Sequence, residues 1–143
     1  MIEPRVVPVS RIADGRGALG VVQYPEHVPF PIARVFCMVG VPSGVNRGGH
    51  AHRTLEEFLL VPTGRVRVRA EWAGGVVEAV IDATAQGFYL PPLAWVDLVD
   101  FAKGTVVVVL ASAPYDESDY IRDRSEFERL LSGLRPGAAN GFP

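Results

Sequence analysis

Two histidines two residues apart, His50 and His52, precede a glutamate, Glu57, in the stretch GVNRGGHAHRTLEEFLLVPTG from Gly44 to Gly64. These side chains support two chemistries. Imidazole takes up and releases protons near neutral pH, so a histidine pair suits general acid–base work. Two imidazoles and one carboxylate are also a donor set for a divalent metal with open coordination positions. The chain has 3 histidines, and two of them stand here. The third, His27, lies in a Pro-rich segment on another element and is not expected to join them. The single cysteine, Cys37, falls in an apolar run and is expected to be an inert packing residue rather than a nucleophile.

For His50 and His52 to act together they must project to one side. In an extended segment residues i and i+2 do so, which predicts a strand through the pair. Phe58-Leu59-Leu60-Val61 reads as a buried strand, closed by a turn at Pro62-Thr63-Gly64. Glu57 shares its parity with Leu59 and Val61, so its carboxylate is expected to face the same interior as the imidazoles.

The rest of the chain supplies walls for such a site. Arg65 to Trp72 alternates cleanly, placing Val66, Val68, Ala70 and Trp72 toward a core and the charges toward water. Ala73-Gly74-Gly75 turns it back into Val76 to Ile81 as a hairpin. Arg5 to Ile12 is expected as a first edge strand, separated by a loop, Asp14 to Gly17, from a strand over Ala18 to Tyr24. Ala33 to Val41, Phe88 to Leu90, Trp95 to Phe101 and Thr105 to Ala111 complete the set, the last containing VVVVL, expected as fully buried. Only near the end does the period become helical. Ser125 as cap with Glu128 reaching back, and Phe127, Leu130, Leu131 and Leu134 on one face, predict a short helix from Ser125 to Leu134. Residues 135–143 are expected as a frayed tail after a single domain over 1–134.

Composition agrees with many short strands and excludes several partners. There are 15 Gly and 12 Pro among 143 residues with 48% hydrophobic, enough for one core without disulfides. Net charge is −2, which gives no nucleic-acid footprint. No membrane-spanning or leader segment is recognisable, and one cysteine fits a reducing cytoplasm. Among the 14 Lys and Arg only Lys103 is a lysine, a bias that suits phosphate contacts and that a GC-rich genome would also produce.

The spacing Gly44, His50, His52, Glu57, Gly64 matches the first signature motif of the cupin superfamily at every fixed position. That resemblance implies an all-β fold, a double-stranded β-helix or jelly roll, with one short C-terminal helix. The flanks carry a narrower resemblance. Asp14-Gly15-Arg16-Gly17 with Leu19, Val28-Pro29-Phe30, Arg34-Val35-Phe36, Arg47-Gly48-Gly49-His50-Ala51-His52-Arg53, Trp95, and Ala111-Ser112 through Tyr115-Asp116-Glu117, Asp119-Tyr120-Ile121-Arg122 and Phe127 together resemble the sugar-nucleotide 3,4-ketoisomerases, which act on dTDP-4-keto-6-deoxy-glucose. The blocks span residues 14 to 127.

The resemblance implies an isomerase of deoxysugar biosynthesis that moves a carbonyl from C4 to C3 through an enediol. His50 is then the acid/base and His52 its partner or an oxyanion donor. Arg16 and Arg47 are the candidates for the nucleotide diphosphate, with Glu57, Tyr115 and Tyr120 against the sugar or base. Aromatic core packing is an equal alternative for the two tyrosines. No cofactor is called for. The alternatives are a metal-dependent cupin enzyme centred on His50, His52 and Glu57, and a cupin that binds the sugar nucleotide without chemistry. The second cupin motif's position, Leu90 to Asp97, offers no histidine as a fourth ligand. Two residues depart from the family pattern: Cys37 where a tyrosine is common, and Glu57 where glutamine is. A charged Glu57 is expected to raise the pKa of a neighbouring histidine. An exposed N-terminal edge strand predicts a homodimer through the N-terminal strands, which the resemblance also implies.

Overall fold

A computed structural model describes residues 2–83, 86–135 and 137. Two five-stranded antiparallel sheets face each other, and a two-stranded hairpin extends from them. The elements in order are β1 (Arg5–Pro8), β2 (Ser10–Asp14), β3 (Gly17–Val21), β4 (Arg34–Met38), β5 (Arg47–His52), β6 (Glu57–Thr63), β7 (Arg65–Trp72), β8 (Gly75–Asp82), β9 (Gln86–Leu90), β10 (Trp95–Val99), β11 (Val106–Ala111), β12 (Tyr120–Ile121) and α1 (Arg124–Leu134). The first sheet runs β1-β9-β6-β11-β4 and the second β12-β5-β10-β7-β8. This is the jelly roll with one C-terminal helix.

The core lies between the sheets, where each contributes the inward half of its alternating residues. Val66, Val68 and Ala70 of β7 meet Leu59 and Val61 of β6 and Val107 and Val109 of β11, with Trp72 packed at the edge. Arg65 and Arg67 point to water, as the alternation requires. Gly64 forms the tight link from β6 to β7. Its φ is +85°, and a Cβ there would stand 2.5 Å from the Thr105 Cα, so both its conformation and its surroundings demand glycine.

Several local expectations change. The Arg5–Ile12 stretch is two elements: β1 pairs with β9 at a sheet edge, and β2 pairs with β3. Asp14 to Gly17 is therefore the turn of a hairpin, not a detaching loop. Pro62 and Thr63 lie inside β6, leaving the turn at Gly64. The VVVVL run is fully buried on one side and unevenly on the other, where Leu110 is buried but Val106 and Val108 are only partly so. Val107 and Val109 enter the main core, while Val108 is half-buried against an outer cluster with Val28, Phe30 and Phe58, contributed in part by the covering segment after β3. The helix begins one residue earlier than expected. Asp123 caps it by accepting from the Ser125 N–H, and Glu128 pairs with Arg124 at 3.1 Å instead of reaching back. Asp is as good a cap as Ser and precedes it by two positions. Phe127 and Leu131 are buried in α1, while Leu130 and Leu134 are exposed, so the apolar face is narrower than the spacing implied. Apart from 135 and 137, the expected tail lies outside the described residues. Among the described residues no helix is long and apolar enough to cross a membrane.

Candidate active site

A cavity of about 380 Å³ lies between the sheets. Its apolar walls are core residues such as Leu59, Leu90, Val96 and Val109, and its polar groups are Asn46, Arg47, His50, Glu57, Tyr120 and Arg122. β5 brings in Arg47 and His50, β6 brings Glu57, and the segment through β12 brings Tyr120 and Arg122.

β5 approaches β10 closely because of one glycine. Gly48 has φ +83°, and a Cβ there would come within 2.6 Å of the Val96 carbonyl oxygen. The register between β5 and β10 shifts at this point, pairing Val96 with His50 and Asp97 with Gly48. Bulges of this kind re-aim side chains; this one stands two residues before His50.

The His50 and His52 rings meet edge-on with centroids 5.0 Å apart, as the shared parity predicts. Tyr120 lies against both, 5.0 Å from His50 and 4.4 Å from His52. β12 pairs with β5 so that Tyr120 faces His52 in register. His50 is half-buried and lines the cavity; His52, 3% exposed, lies behind it. His52 Nε2 is 3.7 Å from Glu57 Oε1, and His52 Nδ1 is 3.3 Å from Asp119 Oδ2.

Electrostatics follow from burial. Loss of water lowers the pKa of His50, partly offset by a backbone hydrogen bond at Gly48. Burial, reinforced by the neighbouring His50, lowers His52 to about 4. Burial pushes Glu57 up to about 7, against the pull of Arg34. The charged Glu57 of that expectation is disfavoured: burial drives the carboxyl toward its own neutral form, and desolvation is the largest influence on both imidazoles. Burial thus favours the neutral form of both imidazoles.

His50, His52 and Glu57 place one ligand atom each within 4.8 Å of one another. Neither nitrogen of His52 has a hydrogen-bond partner among the described residues. This donor set fits a divalent ion, which these three side chains would hold and which would supply Lewis-acid polarisation of a bound carbonyl.

The other expected site residues divide. Arg47 and Tyr120 reach the cavity. Tyr115 is exposed outside it, touching Tyr120 at a 5.8 Å ring separation. Arg16 does not reach the cavity within one chain. It stands at the β2–β3 turn with its side chain 91% exposed and pairs with Asp14 at 2.7 Å. Cys37 is exposed, not packed inside. Its neighbours Phe36 and Met38 line the cavity, so β4 turns Cys37 to the outside. Cys37 therefore stands outside the cavity of its own chain. Trp95 packs on Phe127 with centroids 5.4 Å apart and ties α1 to the second sheet. His27 lies elsewhere, accepting at Nδ1 from the Gln23 N–H at 3.1 Å.

Two residues were not singled out from the sequence for roles of their own. Arg122 lines the cavity, stacks over the Tyr120 ring at 4.1 Å and is braced by Glu117 at 2.8 Å. Its signal is parity, since Tyr120 and Arg122 stand two apart on one extended segment. Asp119 has no such signal, because its approach to His52 spans 67 residues of sequence and arises from the fold.

The family model described as "FdtA: WxcM-like, C-terminal" matches residues 3–132. This chain belongs to that family. The FdtA/WxcM-like chain is 34% identical over 133 residues to the TDP-4-oxo-6-deoxy-alpha-D-glucose-3,4-oxoisomerase of Aneurinibacillus thermoaerophilus, covering 93% of this chain and 96% of that one. Among solved structures it is similar to a histidine-to-asparagine variant of the 3,4-ketoisomerase QdtA from Thermoanaerobacterium thermosaccharolyticum in complex with TDP-4-keto-6-deoxyglucose. The TM-score is 0.88 at 29% identity, covering 94% of this chain and 97% of that one. It is also similar to WlaRB, a TDP-quinovose 3,4-ketoisomerase from Campylobacter jejuni, with TM-score 0.83 at 29% identity, covering 90% and 99%.

Proposed function

We propose that this chain is a sugar-nucleotide 3,4-ketoisomerase acting on a dTDP-4-keto-6-deoxy-hexose. The observation that carries the reading is His50, a free-base imidazole facing a cavity whose other polar groups include two arginines, Arg47 and Arg122. The reaction removes the proton from C3 as O4 takes up a proton, which leaves the double bond between C3 and C4 as an enediol, and returns a proton to C4 as the O3 hydroxyl loses its own and becomes the carbonyl. His50 takes the first proton as its Nε2 or Nδ1 lone pair meets C3–H, and the imidazolium so formed is the donor to C4. His52 and Glu57 support this charge from behind, Glu57 carrying an ionisable proton close to neutral pH. The guanidinium groups of Arg47 and Arg122 suit the diphosphate, which they can engage by paired hydrogen bonds. Tyr120 offers a ring face beside His50 for the sugar, and Tyr115 extends that aromatic surface outward.

The assembly we propose is a homodimer formed through the N-terminal hairpin. All of β2 is exposed, and Ile12 and Leu19, paired across the hairpin, are 59% and 60% exposed. Exposed apolar pairs of this kind mark contact surfaces. Arg16 sits at the tip of the same hairpin, so it meets a diphosphate only when a second copy receives it. A net charge of −2 disfavours nucleic acid as a partner, and a lone exposed thiol fits a reducing cytoplasm.

The His50-His52-Glu57 cluster supports a second reading, a metal-dependent cupin enzyme. Incubation with dTDP-4-keto-6-deoxy-glucose, followed by NMR with and without chelator, tests both. Movement of the carbonyl to C3 that survives chelation supports the metal-free isomerase. Movement lost with chelator and restored by one ion supports the metal centre, and no movement in either condition overturns both in favour of a sugar-nucleotide-binding module.

A further inference from the structure

Asp119 approaches the site from behind. It does not line the large cavity. It borders a separate, small space of about 60 Å³ shared with Arg34, His52 and Tyr120. A group placed there cannot touch a sugar in the main cavity, yet its Oδ2 lies 3.3 Å from His52 Nδ1.

The carboxylate is held rigidly. Oδ1 accepts from the Thr54 N–H at 2.9 Å and from the Thr54 hydroxyl at 2.7 Å, and Oδ2 accepts from the Leu55 N–H at 3.1 Å. The Arg53 N–H donates to the Asp119 carbonyl at 2.9 Å. These donors belong to the three residues that follow His52, so the segment that ends β5 grips the carboxylate facing its own histidine. The imidazole is fixed as well, through pairing of β12 on β5 and a bond from the Leu93 N–H to the His52 carbonyl at 2.7 Å.

Asp119 at Nδ1 and Glu57 at Nε2 make the ion-pair contacts of the ring, and no hydrogen bond from any other group reaches either nitrogen of His52 among the described residues. A neutral imidazole carries one proton, and the ring nitrogen facing an ionised carboxylate is the one that keeps it. Glu57 stands on the Nε2 side, its Oε1 3.7 Å from that nitrogen.

Building on the isomerase reading, we infer that Asp119 is a positioning residue that holds His52 as its Nδ1–H tautomer with the Nε2 electron pair directed toward Glu57 and His50. His52 then presents an acceptor to the proton-carrying groups of the cavity. Replacing Asp119 by asparagine keeps an oxygen for the Thr54 donors, turns an amide toward Nδ1 and leaves the Leu55 N–H without its acceptor. The amide is a donor, so it favours Nδ1 as acceptor and moves the ring proton to Nε2. A carboxylate-to-amide change behind a catalytic histidine in serine proteases acts through this tautomer switch at a cost of about 10⁴ in kcat.

The test compares the full-length protein with Asp119→Asn. Ring-nitrogen NMR at pH 8, with His52 assigned by difference from His52→Asn, needs no substrate. The wild type is expected to carry the His52 proton on Nδ1 and the variant on Nε2. With dTDP-4-keto-6-deoxy-glucose as substrate, kcat is expected to fall about 10²-fold or more while KM changes less than about threefold. A wild-type proton on Nε2 overturns the inference even if the variant does not fold. An unchanged tautomer or an unchanged kcat in a folded variant overturns it as well. Absence of turnover in the wild type would refute the isomerase reading and leave the tautomer result to decide this one.

Discussion

His52 Nε2 and Glu57 Oε1 stand 3.7 Å apart inside the barrel, 3% and 5% exposed as residues, and burial drives their protonation in opposite directions. Glu57 is raised to about 7, so it favours the folded state most below its unfolded value of 4.5, and that stability is lost as pH rises through 7. His52 is lowered from 6.5 to about 4, so its contribution is present above 6.5 and lost as pH falls through 4. Between 4.5 and 6.5 the two slopes oppose each other. Glu57→Gln removes one and exposes the other. The variant is expected to gain roughly 3 kcal/mol relative to the wild type as pH rises across that window. Urea midpoints at several pH values measure this, and parallel profiles for the two proteins would refute it.

His50→Asn preserves shape and hydrogen-bonding capacity but cannot carry a proton at neutral pH. It is expected to keep the thermal midpoint within a few degrees and to lower turnover by about 10² or more. Wild-type turnover in a folded variant would remove His50 from the proton transfer.

Extensive dialysis against EDTA tests the donor cluster. A metal-free isomerase keeps both its activity and its thermal midpoint after the treatment. Loss of either, reversed by a single divalent ion, would assign His50, His52 and Glu57 as ligands.

The paired, exposed Ile12 and Leu19 make the hairpin the place to test the proposed dimer. Ile12→Glu with Leu19→Glu is expected to convert a dimer to a monomer at micromolar concentration, read by light scattering. If the doubly substituted chain dimerises like the wild type, the hairpin is not the interface.

The legible parts of the molecule were those set by local pattern. Period-2 alternation located β7 and its inward residues, and the His-x-His spacing placed both imidazoles on one side of β5. Parity put Glu57 into the same cavity. What stayed hidden depends on which distant segments meet. The sheet order that brings Asp119 behind His52 has no trace in local periodicity. Cys37 looked buried because its run is apolar, yet β4 is a sheet edge and shows its odd face to solvent. Arg16 carries a family motif, but only the hairpin geometry reveals that one chain alone does not bring it to the cavity. The upward shift at Glu57 itself was also beyond the sequence, because it turns on burial.

The most direct test of the central claim is the position of the carbonyl after turnover in D₂O. One fold can host different chemistries, so loss of substrate alone decides little. Incubating the protein with dTDP-4-keto-6-deoxy-glucose in D₂O and recording ¹³C and ¹H NMR spectra separates the outcomes. The account predicts a ketone at C3 and a new hydrogen at C4 drawn at least in part from solvent. A ketone that stays at C4 while deuterium enters C3 or C5 would contradict it, because the site would then exchange protons without moving the carbonyl.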